Sequence, residues 1–386
     1  MSTIKVNSIK NTSTDDGGIA IDNSGHVQID GQQLPTAGAL SHRNLVQNGA
    51  MIVSQRGTSF DVNSEDKFTL DRFSTEFSSG TFECTITQES DAPQGFNKSL
   101  KVACDTTYTP VNTDNFGLRT HLEGQDFQNL GFGSAGAKDL TLSFYVKGTA
   151  KQYSCAVQFH DSSDDSHIQT RSFTVTSSWQ RVVLTFEGNG AALNTAIKND
   201  HTVGFVIQWW LAAGPNDIFA EDTTWVDNPS PTFHAVTGQN NFFDNTSNEF
   251  YITGVQLEVG EKATPFEHRS YADELRRCQR YRYQIDLATS AAPMHLVMSR
   301  FQAGSGVAYA SVQFPVEMRA APHFSFTGGT LSSSGYAGNP VLNRTTKSSC
   351  DLKSTRSISA NEVVYLRPIS GGNSSDVLIL NFDSEL

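Results

Sequence analysis

Nothing in this sequence is long and apolar enough to cross a membrane as a helix: no run of about 18 apolar residues occurs. The opening MSTIKVNSIK lacks the apolar core of a signal peptide, so synthesis in a cytoplasm without membrane insertion is expected. Basic residues are scarce. Lys and Arg number 28 against 40 Asp and Glu, a net charge of -12, and without clustered cations to neutralise phosphates no nucleic-acid partner is expected. Cysteine is sparse as well. Cys84, Cys104, Cys155, Cys278 and Cys350 are odd in number and nowhere spaced C-x-x-C, which removes the usual zinc and dithiol motifs. Those at 84, 104 and 155 sit inside strand patterns and read as small hydrophobes. A phosphate-cradling glycine loop, a G-x-S-x-G elbow, an H-E-x-x-H helix and a recognisable carboxylate pair are all missing. No catalytic residue and no enzyme activity are expected.

What the chain does have is phenylalanine, 25 residues of it, together with valine and threonine. Such side chains suit a pleated, half-buried surface, and the fold class expected is all-β. A length of 386 residues allows two or three domains. Residues 1–43 form a polar, Gly/Ser/Thr/Asp-rich segment. Within it, IAIDNSGHVQIDG places Ile19, Ile21, Val27 and Ile29 at alternate positions around an Asn-Ser-Gly turn, and IKVNSI does the same with Ile4 and Val6. A two-stranded ribbon alone is marginal in water. The flanking residues offer nothing to pack on its apolar face, so either a later domain or other chains must cover it.

From residue 44 to 268 short strand candidates alternate with turn-rich loops, among them KSLKVACD, FGLRTHLE, LTLSFYVKG, YSCAVQFHD, GFVIQWWL and EFYITGVQLEVG. With no helical pattern between them, a jelly-roll β-sandwich is expected. Parity assigns Leu142, Phe144, Val146, Cys155, Val157, Phe159, Phe205, Ile207, Trp209 and Leu211 to one face, the core. Tyr145, Gln158, His160, Gln208 and Trp210 fall on the other, with Trp225 of DTTWVDNP on a nearby loop. Flat rings beside amides and imidazole are what a sugar requires, since its C–H faces stack and its hydroxyls bond. These six are the candidate glycan-binding residues; the alternative is a face covered by loops or a neighbouring domain. The loop HDSSDDSH offers Asp161, Asp164 and Asp165 as oxygens for calcium, but its spacing is not that of an EF-hand. A solvated hairpin is the simpler reading, and no cofactor is assigned.

Residues 269–284, RSYADELRRCQRYRYQ, read as a connector helix. Ser270 is placed to cap it, Asp273 and Glu274 stand at its start, and Arg276, Arg277, Arg280 and Arg282 follow towards its end. Residues 285–386 then read as a C-terminal β-sandwich domain, with DVLILNF near the end as its most apolar strand.

Several of these stretches have a familiar look. RNLVQNGAMIVSQRGTSF, FTLDRF, SSWQRVVLTFEG, YITGVQLEVGEKATPFEHRSYADELRRCQRYRYQ and VQFPVEMRAAP resemble segments of tail fibre proteins of marine and other tailed bacteriophages. The opening residues are similar to the starts of such fibres, while Phe73 stands where the commoner pattern has tryptophan. The strands LTLSFYVKG, SSWQRVVLTFEG and FYITGVQLEVG also resemble jelly-roll carbohydrate-binding modules of the galactose-binding-like type, which often hold a structural calcium. The resemblance implies a homotrimeric virion protein, docked on other phage tail or virion proteins through its N-terminus and adhering to host cell-surface polysaccharide. It offers a cover for the ribbon: three copies turning Ile4, Val6, Ile19, Ile21, Val27 and Ile29 toward one another in an intertwined β segment. The rival expectation is an architectural fibre, adaptor or capsid decoration protein with the jelly roll as spacer.

Overall fold

The computed structural model describes residues 6, 8–10, 18–23, 25–29, 32–35, 40–189, 195–227, 235–286, 296–298, 300–302, 307–328, 331–333, 336–337, 341–355, 364–368 and 378–386. Their regular structure is nearly all antiparallel strand, with one short α-helix and three 3-10 turns. No described helix is long and apolar enough to cross a membrane. By contact the chain divides into two compact units, residues 1–270 and 271–386.

The first unit opens with a small four-stranded sheet: β1 (Ser8–Ile9), β2 (Ile19–Ile21), β3 (Val27–Ile29) and β4 (Gln32–Gln33), paired in that order. Registers Ile9 to Ile19 to Ile29 and Ile21 to Val27 bring five aliphatic residues to one face. Within this chain that face is open, with Ile9, Ile19, Ile21 and Ile29 each between 41% and 62% exposed. Val6 is exposed too, and Ile4 lies outside the described residues.

The sandwich follows: β5 (Ser59–Asn63), β6 (Ser74–Phe77), β7 (Glu83–Glu89), β8 (Ser99–Thr106), β9 (Asn115–Glu123), β10 (Leu140–Gly148), β11 (Lys151–His160), β12 (Ser166–Val175), β13 (Gln180–Phe186), β14 (Val203–Ala213), β15 (Ile218–Phe219), β16 (Val226–Asp227), β17 (Ala235–Val236) and β18 (Glu249–Val259). One six-stranded sheet has the order β13-β10-β18-β8-β7-β5 and the other β16-β12-β11-β14-β9-β6. Between them lies a phenylalanine-rich core. Phe144 of the first sheet meets Phe173 and Trp209 of the second edge-on, at 5.3 and 5.8 Å between ring centres. All ten residues that parity assigns to the core are buried there.

Two of the stretches that resemble phage fibres, the one that begins at Arg43 and the one that begins at Tyr251, meet in space. Asn44 is the hub: its Nδ2 donates to Val255 O at 3.0 Å, its Oδ1 accepts from Val46 N and Leu257 N, and its own N donates to Glu267. Arg269 returns the contact by donating to the carbonyls of Val46 and Asn44. Buried Glu258 holds the loop between, accepting from Thr264 N and Thr264 Oγ1 at 2.8 and 2.7 Å. Gly49 is required here, because a Cβ would fall 2.1 Å from Val255 O. Residues 44–49 and 254–269 are therefore a clasp that ties the sandwich's entering chain to its leaving one, and their work is structural.

In the second unit the helix α1 (Tyr271–Gln279) is shorter than the expected 269–284. Arg282–Asp286 leaves the helical pattern and pairs as a strand with Leu378–Asp383, which pairs in turn with His323–Gly328. Tertiary pairing overrides local propensity here. Arg282 forms an ion pair with Asp383 at 3.1 Å and bonds Asn381, while Tyr283 stacks on Phe382. A second sheet joins Val307–Gln313 to Ser349–Thr355 and Val341–Thr345. Ala310, Val312, Phe314, Met318, Cys350, Leu352, Leu380 and Phe382 form the buried core of this unit.

Candidate functional site

Two outer faces remain on the sandwich, and the six candidate residues divide between them. On the sheet β16-β12-β11-β14-β9-β6, antiparallel register lines up Ala156, Gln208, Arg119 and Ser74 in one row and Ile168, Gln158, Val206 and His121 in the next. A third row pairs His160 with Ser166. From these rows Gln208, Arg119, Gln158, Val206, His121, His160 and Ser166, together with Glu76, Val203 and Asp164, line an open groove of about 460 Å³. Gln158, His160 and Gln208 thus come together as parity places them.

The other three candidates do not join them. Tyr145 sits on β10, which pairs with β13 and β18. Only residues 149–150 separate β10 from β11, yet the two strands enter different sheets, so shared parity does not make a shared face. Tyr145 packs instead on Phe96, at 5.3 Å. Trp210 lies on the groove's sheet but is 1% exposed. Its ring rests over Gly117, where a Cβ would come within 3.0 Å of Trp210 Cε3. Ala235 of β17 covers it, with Ile168 and Ala156 beside it. Ser154 pins that cover, accepting from Val236 N and donating to Gln239. Trp225 is no rim: its ring packs edge-on against Phe159 and Phe132 at 4.8 and 5.6 Å, and its Nε1 donates to Glu187 O. The apolar end of the face is sealed and the polar end stays open.

At the open end opposite charges are paired, some of them buried and some in water. Arg119 forms ion pairs with Glu76, which is 5% exposed, and with Asp66 at 3.2 Å, and its Nε donates to Ser74 Oγ. Asp164 pairs with Lys198 at the turn. Burial pushes the His160 imidazole below its ordinary range, so it is neutral at pH 7. The Gln208 side chain is 3% exposed, and its Oε1 has no hydrogen-bond partner. A buried amide left unbonded is costly unless something completes it. Glu76, Arg119, His121 and Ser166 were not among the candidates; the alternation in FGLRTHLE, with Leu118 and Leu122 inward and Arg119 and His121 outward, carries the signal for two of them.

The acidic turn is a hairpin end. Asp161 Oδ1 accepts from Ser163 N and Asp165 N at 2.8 and 3.0 Å. Among the described residues no group of three or more His, Cys, Asp or Glu is placed to hold a metal ion. A larger hollow of about 620 Å³ in the second unit, lined by residues 321–326 with Val341 and Leu342, is mainly apolar, with His323 and Ser325 as its polar side chains.

The fold and groove define an all-β chain built on a jelly-roll sandwich with a polar cleft on one outer face. Neither the protein-family models nor the curated proteins include a match to it. Among solved structures it is similar to the enzymatically active domain of tailspike protein 4 of bacteriophage CBA120, at 10% identity over 56% of this chain and 21% of that one, with a TM-score of 0.29. It is also similar to the family 11 carbohydrate-binding module of a cellulosomal cellulase of Clostridium thermocellum, at 14% identity over 57% and 96%, with a TM-score of 0.24. A third likeness is to the N-terminal CBM22 tandem domain from Paenibacillus barcinonensis Xyn10C, at 10% identity over 91% and 100%, with a TM-score of 0.29. The chain spans about one fifth of the tailspike chain's length. Likenesses of this depth say nothing about ligand or partner.

Proposed function

We propose that this chain is a non-enzymatic bacteriophage fibre protein of the virion, a homotrimer that docks through residues 1–43 and adheres to host surface glycan through the groove of its sandwich. The observation that carries the binding reading is the buried, unpartnered Gln208 amide on the groove floor, flanked by Gln158, neutral His160 and the Arg119 ion pair. Planar amides and guanidinium match the paired hydroxyls of a sugar ring. The resemblance to tail fibres supports the virion assignment, and the open aliphatic face of β1–β3 supports assembly, since apolar surface of this kind gains from burial against other chains. Three equivalent grooves on one fibre multiply a weak contact into useful avidity.

The test is binding of the full chain to host cells and to their purified polysaccharide. Gln208→Ala is expected to weaken binding about tenfold, the order of one or two hydrogen bonds, with a cooperative unfolding transition retained, since the lost packing and the removed unbonded amide oppose each other. No binding by the unaltered protein would favour the architectural reading, and release of reducing ends would overturn the non-enzymatic one.

A further inference from the structure

The sandwich holds two thiols that the groove does not use and that lie face to face. Cys84 on β7 is the direct cross-strand partner of Cys104 on β8. Both point into the core, at 0% and 4% exposure. The character of the pairing follows from where the backbone bonds go. Cys104 N donates at 3.1 Å to Asn248 O, on the β18 side of β8 and away from β7. In an antiparallel ladder the N–H and C=O of one residue point the same way, so Cys84 and Cys104 form a non-hydrogen-bonded pair. Their Cα atoms are then about 4.5 Å apart, with the side chains closer still than at the alternate positions. A disulfide asks for roughly 4.4 to 6.8 Å between Cα atoms.

No other pair of cysteines stands in this relation. Cys155 lies opposite Arg171 and Trp209 in the other sheet, Cys350 lies opposite Val312, and Cys278 is on α1. Cys84 and Cys104 also sit near the ends of their strands. The register slips beside them, where Glu83 faces Thr106 and Asp105 is the extra residue of a bulge.

We infer that Cys84 and Cys104 are a site of covalent modification, a latent cross-strand disulfide that closes when the protein meets a small-molecule disulfide outside a reducing cytoplasm. The step balances as an exchange. The Cys104 thiolate attacks one sulfur of oxidised glutathione and releases the first glutathione thiol. The Cys84 thiolate then attacks the Cys104 sulfur and releases the second, so two protein thiols are oxidised and one glutathione disulfide is reduced to two thiols. Burial and the nearby Asp105 and Asp244 push the Cys104 thiol up to about 11, and burial, with Asp105 beside it, raises the Cys84 thiol as well. Both stay protonated in the closed sandwich, and exchange must wait for the strand end to open. Closure ties residues 85–103 into a covalent loop and removes entropy from the unfolded chain.

The experiment equilibrates the full chain with oxidised glutathione in urea just below the unfolding transition, removes the urea, alkylates and maps peptides. The expected result is loss of two of the five free thiols, a Cys84 to Cys104 cross-linked peptide, and a thermal midpoint that rises and falls back when reductant is added. Five alkylated cysteines, or a cross-link between any other pair, would overturn the inference. Cys104→Ser treated in the same way is expected to keep its four remaining thiols; a new disulfide in that variant would show that register does not select the partner.

Discussion

The two outer faces of the sandwich differ in how much hydrogen-bonding capacity each has already spent. The face of β13-β10-β18-β8-β7-β5 is the richer in aromatics: Tyr145, Tyr251 and Trp179 gather there with Lys101 and Lys147. Lys147 lies 4.7 Å from the Tyr251 ring centre and 5.6 Å from that of Trp179. Apart from the Tyr145 hydroxyl, the polar groups of that cluster are engaged. Trp179 Nε1 donates to Asp91 Oδ1 at 2.9 Å, Lys147 pairs with the same carboxylate, Lys101 pairs with Glu249 at 2.7 Å, and Tyr251 donates to Glu249. The groove face has no open aromatic but carries the unbonded Gln208 amide and a neutral imidazole.

The largest effect that would probe this contrast is on the groove's ion pair. Arg119→Met leaves Glu76 charged and buried without its cation, and stability is expected to fall by about 3 to 5 kcal/mol, read from urea unfolding. Adding Glu76→Gln to that variant should restore much of the loss, since the uncompensated charge is then gone. If Arg119→Met alone unfolds no more easily than the native chain, Glu76 has ready access to water and the groove floor is wetter than its burial indicates.

A smaller effect belongs to the aromatic face. Trp179→Ala removes a cation–π contact, a hydrogen bond to Asp91 and an edge contact with Tyr251 at 6.1 Å. Its expected cost is about 1 kcal/mol of stability, with glycan binding unchanged. Binding lost with stability kept would invert the comparison and move the site to this face.

How much of this was legible beforehand depends on whether a feature is local. Alternation in LTLSFYVKG, YSCAVQFHD and GFVIQWWL sorted core from surface correctly, because the side-chain period of a strand is a property of the strand alone. Which sheet a strand joins is decided by partners far along the chain. Tyr145 was therefore grouped with Gln158 although β10 and β11 part company after residue 148. Trp210 reads as exposed until residues 235–240 are folded over it, and Arg282 reads as helix until Asp383 arrives from the other end of the sequence. The open face of Ile9, Ile19, Ile21 and Ile29 was readable as a need for cover, since the alternating aliphatic pattern makes an apolar face and the sequence around it shows no long apolar run.

The smallest expected effect is a pH dependence confined to the spent face. Hydrogen bonds from Lys147 and then Trp179 hold the Asp91 carboxyl below its usual range. A carboxyl lowered on folding contributes stability that is fully present above the unfolded value, near pH 3.9, and is lost as pH falls through the folded one. Asp91 is well exposed, so water screens the contribution and it stays small. Because the partner is an indole, the event has its own readout: Trp179 fluorescence should shift between about pH 4 and pH 2 ahead of any loss of strand signal in circular dichroism. Asp91→Asn should abolish that early shift. If the shift persists in Asp91→Asn, another carboxylate governs the indole, and Asp91 is not the partner that holds Trp179 on this face.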